Sequence, residues 1–348
     1  MSPGRAHGPH IAIAAGLALF GALSVLPVRI PTLDTHAYVS MAQGNYSAVG
    51  TPFRYRVVVP ALAGMLPTSP LLGLRLITYV SMAGVYFLGL TECASLGIVG
   101  WPALCALMVI FCSRANLFNF YNPYLTDATG LAVLFLLSWC FIADLYWPFL
   151  GAACLGIFVR ESALFAVPVW LFSPKWRKGI WIILLGVAIF ILPTLLFPSP
   201  TTYRDYAALA IKAKANGKEL FRLAKDVSLS WHCVWILCFC GLLRLPRRVQ
   251  VLAGLLVLGA GASSLVADDY ERMVSVLCPV VLSGVAKTLE TAWVKNQAMV
   301  IAFLCTLPLQ FLFSSPYVLQ GMPIRIHHVT LVATLAISSL CAAGVVVD

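Results

Sequence analysis

Charge is what this sequence has least of. Only 10% of its 348 residues are Asp, Glu, Lys or Arg, and 61% are hydrophobic. Soluble domains carry about 25% charge, and the mean hydropathy here is +0.92, which excludes a soluble globular chain. Long alternation of apolar and polar residues is also missing. The apolar runs are continuous, which excludes an outer-membrane barrel. There is no glycine-rich phosphate loop, no nucleophile-elbow serine and no HExxH, which weighs against NTPase and hydrolase readings. The 11 cysteines lie mostly inside apolar runs, as at Cys105, Cys112, Cys140, Cys154, Cys278 and Cys305. They lack metal-ligand spacing and read as small packing residues rather than a disulfide framework. No internal repeat and no separate soluble domain is visible.

What is present is a series of membrane-length apolar runs, so the expected fold is all-α, a polytopic helical membrane protein. The net charge of +10 comes from 23 Lys and Arg against 13 Asp and Glu. Cytoplasmic loops and anionic lipid headgroups account for it better than nucleic acid does. Arg5 precedes the first run, Ile11–Val28, and no clean cleavage site follows, so an uncleaved first helix with a cytoplasmic N-terminus is expected. Further runs are Leu71–Cys93, Trp101–Cys112, Ala128–Ile142, Phe149–Phe172, Gly179–Phe197, Trp231–Leu243, Val251–Ala267, Val274–Leu289, Ala298–Phe313 and Val329–Val347. Lys175, Arg177 and Lys178, and later Arg244, Arg247 and Arg248, mark the cytoplasm, as does the expected position of Asp348. One transmembrane domain, 1–348, is therefore predicted. It has a first external loop with interfacial helices at 29–70 and a second, amphipathic external loop at 198–230.

Two topologies fit these charges. In one, Val57–Leu66 crosses the membrane and Phe149–Phe172 is one helix. That leaves Arg160 near the midplane at a cost of about 2.5–3.5 kcal/mol unless it is paired. In the other, Val57–Leu66 lies flat and Phe149–Phe172 is a pair of short helices meeting at Arg160 and Glu161. The second is preferred, because it brings Asp34 and Asp127 to one face.

The stretch Asp34–Pro60 concentrates the chemistry. Asp34 suits a base that deprotonates an acceptor hydroxyl, or a metal ligand, but it is equally placed to cap a surface helix. Asp127 opens a helix and carries the same two readings. Arg54 and Arg56, alternating around Tyr55, suit a phosphate at headgroup level. The opposing reading is snorkelling to bulk lipid. Arg160 and Glu161 are either a phosphate site or a self-satisfied pair between helix ends. His36, Arg75, Arg114, the second external loop, Asp268, Asp269, Glu271 and Arg272 complete the outward-facing ionisable set. Ionisable side chains among apolar helices are costly and are functional candidates for that reason.

Several of these segments resemble one family. They are LDTHAYVSMAQGNY with its early acid, TPFRYRVVVPALAGMLP, GLRLITYV, FNFYNPYLTDATGLAVLFL ending its aromatic turn in Asp127, and GIFVRESALFAVPVWLF. Together they resemble the GT-C superfamily of integral membrane glycosyltransferases, and PFRYR with DDYERM resembles an uncharacterised bacterial group within or near it. The resemblance covers about residues 11–197. It implies a bundle of about 10–12 transmembrane helices in the bacterial inner membrane. The donor would be a polyprenyl-phosphate sugar, used at the outer face beside membrane lipids. Asp34 and Asp127 would be the catalytic acids, and Arg54, Arg56 and Arg160 would meet the donor phosphate. Many members pair two acids where this chain has Asp34-Thr35-His36, and many have Lys where Arg160 stands. A requirement for a divalent metal (Mg or Mn) therefore stays open. A transporter or flippase for a lipid-linked or anionic solute, and a non-catalytic membrane subunit, are the competing readings.

Overall fold

A computed structural model describes residues 7–25, 27–28, 32–196, 199, 205, 208, 230–231, 234–266, 270–295 and 297–304. Fourteen α-helices are numbered here: α1 His7–Ser24, α2 Leu33–Ala42, α3 Val58–Met65, α4 Pro70–Ser95, α5 Trp101–Phe111, α6 Arg114–Tyr121, α7 Asp127–Ile142, α8 Tyr146–Val159, α9 Trp176–Leu196, α10 Val234–Leu242, α11 Arg247–Val266, α12 Tyr270–Val274, α13 Cys278–Lys295 and α14 Gln297–Leu304. No strand occurs among the described residues. The expected run Val329–Val347, the second external loop apart from a few residues, and Asp268 and Asp269 lie outside them.

Among the described residues, three segments are long and apolar enough to cross a membrane: α4, α9 and Arg272–Lys295. The pair α5 and α6, bent by 59°, makes a fourth if it counts as one span. The bent pair alters one expectation. Residues 114–121, expected as an aromatic turn, are helical because Ser113 caps them, accepting from the Asn116 amide at 3.3 Å. Burial separates the spans. The apolar window of α9 is 17% buried and that of Arg272–Lys295 is 78%. The first turns Trp181, Leu184, Leu192 and Leu195 outward, a face suited to lipid, while the second runs through the centre of the bundle. Helix α13 packs closely on α10. A Cβ on Gly241 would stand 1.8 Å from the Gly284 carbonyl oxygen, so only glycine permits this approach.

Helix α7 provides the axis for locating the site. Its 16 residues span about 24 Å at 1.5 Å per residue. Helix α8 turns back from the Ile142 end and stops at Val159. Arg160 is extended at φ −164° and ψ 133°, and two 3-10 turns follow, Glu161–Phe165 and Val167–Phe172. The break at Arg160 is the one expected for a pair of short segments. Helix α3 has only 8 residues, about 12 Å, well short of a bilayer core.

A small second core ties the first polar segment to the bundle. Tyr38 and Met41 of α2, Val59 and Ala63 of α3, Leu74, Leu125 and Val159 are all buried together. It holds the Asp34–Pro60 stretch against the Asp127 end of α7. All eight described cysteines that form the free set, Cys93 and Cys105 among them, are unbridged thiols, six of them buried.

Candidate functional site

Three guanidinium groups and three carboxylates meet at the Asp127 end of the bundle. Arg272 is the hub. Its Nε and Nη2 donate to the two oxygens of Asp127 at 2.9 and 2.8 Å, and its Nη1 donates to Asp34 Oδ2 at 2.9 Å. Arg160 Nη1 also pairs with Asp127 Oδ1. Beside them, Arg56 grips Glu161 with two prongs, Nε to Oε2 at 2.9 Å and Nη2 to Oε1, while its Nη1 donates to the Tyr38 hydroxyl at 2.9 Å. Tyr38 Oη lies 3.2 Å from Thr126 Oγ1, which closes the chain of contacts back to the residue before Asp127.

Local structure explains why these side chains point inward. Thr32 caps α2, its hydroxyl accepting from the Thr35 amide at 3.3 Å. That corrects the reading of Asp34 as a cap. Asp34 lies in the first turn, where the helix dipole favours an acid, and its carboxylate is free to reach Arg272. Asp127 likewise opens α7 but spends both oxygens on arginines. Arg160 needs space, and Gly130 supplies it: a Cβ there would stand 3.1–3.2 Å from the Arg160 stem. Arg160 and Glu161 are not a self-satisfied pair either. One turns to Asp127 and the other to Arg56, because the extended backbone at Arg160 sends neighbouring side chains opposite ways.

The electrostatics follow from enclosure. Asp127 and Arg160 have side chains only 5% and 6% exposed. Burial pushes the Asp127 carboxyl up, but the pull of Arg160 and Arg272 outweighs it and holds the group well below the usual carboxylate range. Glu161 follows the same balance: burial raises it, and Arg56 then lowers it below its ordinary value. Burial works against the Arg56 charge, yet Glu161 more than compensates and raises its pKa further. Three cations against three anions leave the cluster formally neutral. This satisfies the general requirement that buried charges be paired.

Not every expected residue joins this cluster. Arg75 bonds Tyr79 Oη one turn along at 2.7 Å and stacks on its ring. His36 is exposed on α2. Arg54 and Tyr55 line an adjacent cavity of about 410 Å³ with Tyr46, Val57, Phe158 and Pro193. Arg56, expected to be open to a phosphate, has its fork filled by Glu161. Tyr38 was not singled out by sequence, since nothing in the pattern distinguishes it from other interfacial tyrosines. Glu92 was not singled out either, although a lone acid inside the α4 run is a visible signal. It is fully buried and accepts from Ser283 Oγ at 2.6 Å.

A divalent ion does not suit this arrangement. Guanidinium groups engage both Asp127 oxygens and one Asp34 oxygen, and among the described residues no three His, Cys, Asp or Glu side chains converge as ligands. What the cluster can do is hold an anion on arginine and offer a carboxylate beside it. The chain matches no family model, and no curated protein or solved structure matches it.

Proposed function

We propose that this chain is a membrane glycosyltransferase that moves a sugar from a polyprenyl-phosphate-linked donor to an acceptor at the outer face of the cytoplasmic membrane. One observation carries the reading. Asp34 and Asp127, far apart in sequence, share the Arg272 guanidinium. Orientation supports it. The Asp127 end of α7 lies opposite the end where Lys175 and Arg248 gather, and basic residues favour the cytoplasm.

The chemistry follows from which contacts are weakest. Arg272 holds Asp127 by two bonds and Asp34 by one, and Asp34 is the more exposed acid at 22%. A donor phosphate draws Arg272 Nη1 from Asp34. The freed carboxylate takes the proton of an acceptor hydroxyl, which attacks the anomeric carbon. The new carbon–oxygen bond forms as the bond from that carbon to the phosphate oxygen breaks, and the electron pair leaves on the phosphate. Arginine in a water-poor site stabilises that charge. Arg54 and the apolar walls of its cavity offer room beside the site for the lipid portion.

The test is release of polyprenyl phosphate from a panel of polyprenyl-phosphate sugars by the purified full chain in nanodiscs. Asp34→Asn is expected to lose about 10²–10⁴-fold in turnover, the range for removing a general base, with its melting temperature little changed. Turnover that survives Asp34→Asn rules out this mechanism. Movement of an intact donor between leaflets, without cleavage, favours the flippase reading.

A further inference from the structure

The opposite end of α7 carries a different kind of site. The turn from Ile142 to Trp147 gathers cations from two distant segments. Arg248, in the first turn of α11, donates from Nη1 to the Ile142 carbonyl at 2.8 Å. Lys175 pairs with Asp144. Lys178 stands over the Tyr146 ring, with Nζ 4.8 Å from its centroid. The Arg248 contact satisfies a carbonyl at the negative end of the helix dipole, which fixes α11 against this turn.

We infer that this turn is a discrete binding site for a phospholipid with an anionic headgroup. The first argument is charge. Arg248, Lys175 and Lys178 converge around a turn whose acid is Asp144, and Arg247 adjoins Arg248 at the start of α11. Lys175 and Asp144 are 41% and 52% exposed, so their pairing is weak and an anionic group competes for the lysine easily. The second argument is depth. Trp147 is 74% exposed and Trp176 is 49% exposed. Exposed tryptophans beside lysines mark the headgroup level of a bilayer, so a phosphate here arrives with acyl chains that lie along the apolar face of α9. A soluble partner would leave those rings in water. The third argument is convergence. A diffuse positive rim follows from any cytoplasmic loop, but here side chains from 31 and 106 residues away are anchored on one short turn. That geometry holds one headgroup at a set position. The inference does not depend on the reaction proposed above.

The experiment is native mass spectrometry of the full chain released from nanodiscs containing phosphatidylglycerol and phosphatidylcholine in equal amounts. The wild type is expected to retain phosphatidylglycerol selectively. Each neutralised charge should weaken retention about fivefold, so the triple variant Lys175→Gln, Lys178→Gln, Arg247→Gln should lose it by on the order of a hundredfold. Arg248 is left intact because it anchors the turn. Asp144→Asn should strengthen retention, which a merely misfolded variant would not do. Equal retention of phosphatidylcholine, unchanged retention in the triple variant, or displacement of the lipid by millimolar inorganic phosphate would each overturn the inference.

Discussion

The two ends of α7 handle charge in opposite ways. At the Asp127 end, three arginines and three carboxylates are drawn from five segments into a partly dry pocket, and the cluster is neutral. At the Ile142 end, cations outnumber acids, the side chains are exposed, and the one ion pair described there, Lys175 with Asp144, is open to solvent. The difference is solvation. A charge buried among apolar helices costs several kcal/mol unless a partner is supplied, so each group in the first cluster is specified by another. A charge at the headgroup level keeps its water and its counterions, so surplus is tolerated. Tight pairing is therefore informative at one end and unnecessary at the other.

The largest test of this contrast is Asp127→Ala. It takes the carboxylate from Arg160 and two hydrogen bonds from Arg272, which keeps Asp34, and a loss of about 3–5 kcal/mol in unfolding free energy is expected in mixed micelles. A loss below about 1 kcal/mol would mean the pocket is wet and the contrast false. Acid probes the same group without substitution. Asp127 and Glu161 stand below their ordinary values, so their contribution is complete above the usual carboxylate range. It declines as the pH falls through the lowered values in the folded protein. The melting temperature should drop on acidification, and Asp127→Asn should flatten that dependence. Gly130→Ala comes next, because its methyl meets the Arg160 stem. A cost of about 1–3 kcal/mol, typical of overpacking, should appear in the same unfolding assay. The smallest effect belongs to the other end. A double-mutant cycle between Lys175 and Asp144 should return about 0.2–1 kcal/mol, and the same cycle between Arg56 and Glu161 should clearly exceed it. Equal coupling in the two cycles would erase the distinction.

Much of the fold is visible in the chain itself. The starts of α4 and α7 and the stop at Val159 were legible because apolar runs, Asp127 and the polar Arg160 are local signals. The bent pair α5 and α6 was only half legible, since Asn116, Phe118 and Asn119 read as a turn until Ser113 supplies a cap and the bundle buries them. Within the site, Asp34, Asp127, Arg56, Arg160, Glu161 and Arg272 all stood out as costly charges among apolar helices. Their partners did not. Adjacency in sequence suggests Arg160 with Glu161, yet each bonds a residue from another segment, 33 and 105 positions away.

By itself, then, the sequence determined the class of protein, helical with segments long and apolar enough to cross a membrane, because hydrophobicity and run length are additive properties of the chain. It also determined which side chains carry the cost of charge inside that setting. Only the tertiary structure decided how they pair: Arg272 between Asp34 and Asp127, Arg56 on Glu161, Arg248 on the far end of α7. Pairing depends on distance and desolvation in three dimensions. A helix that stops at Val159 and a glycine that yields space at position 130 set those distances, and neither the contacts nor their strength can be summed from residues taken in order.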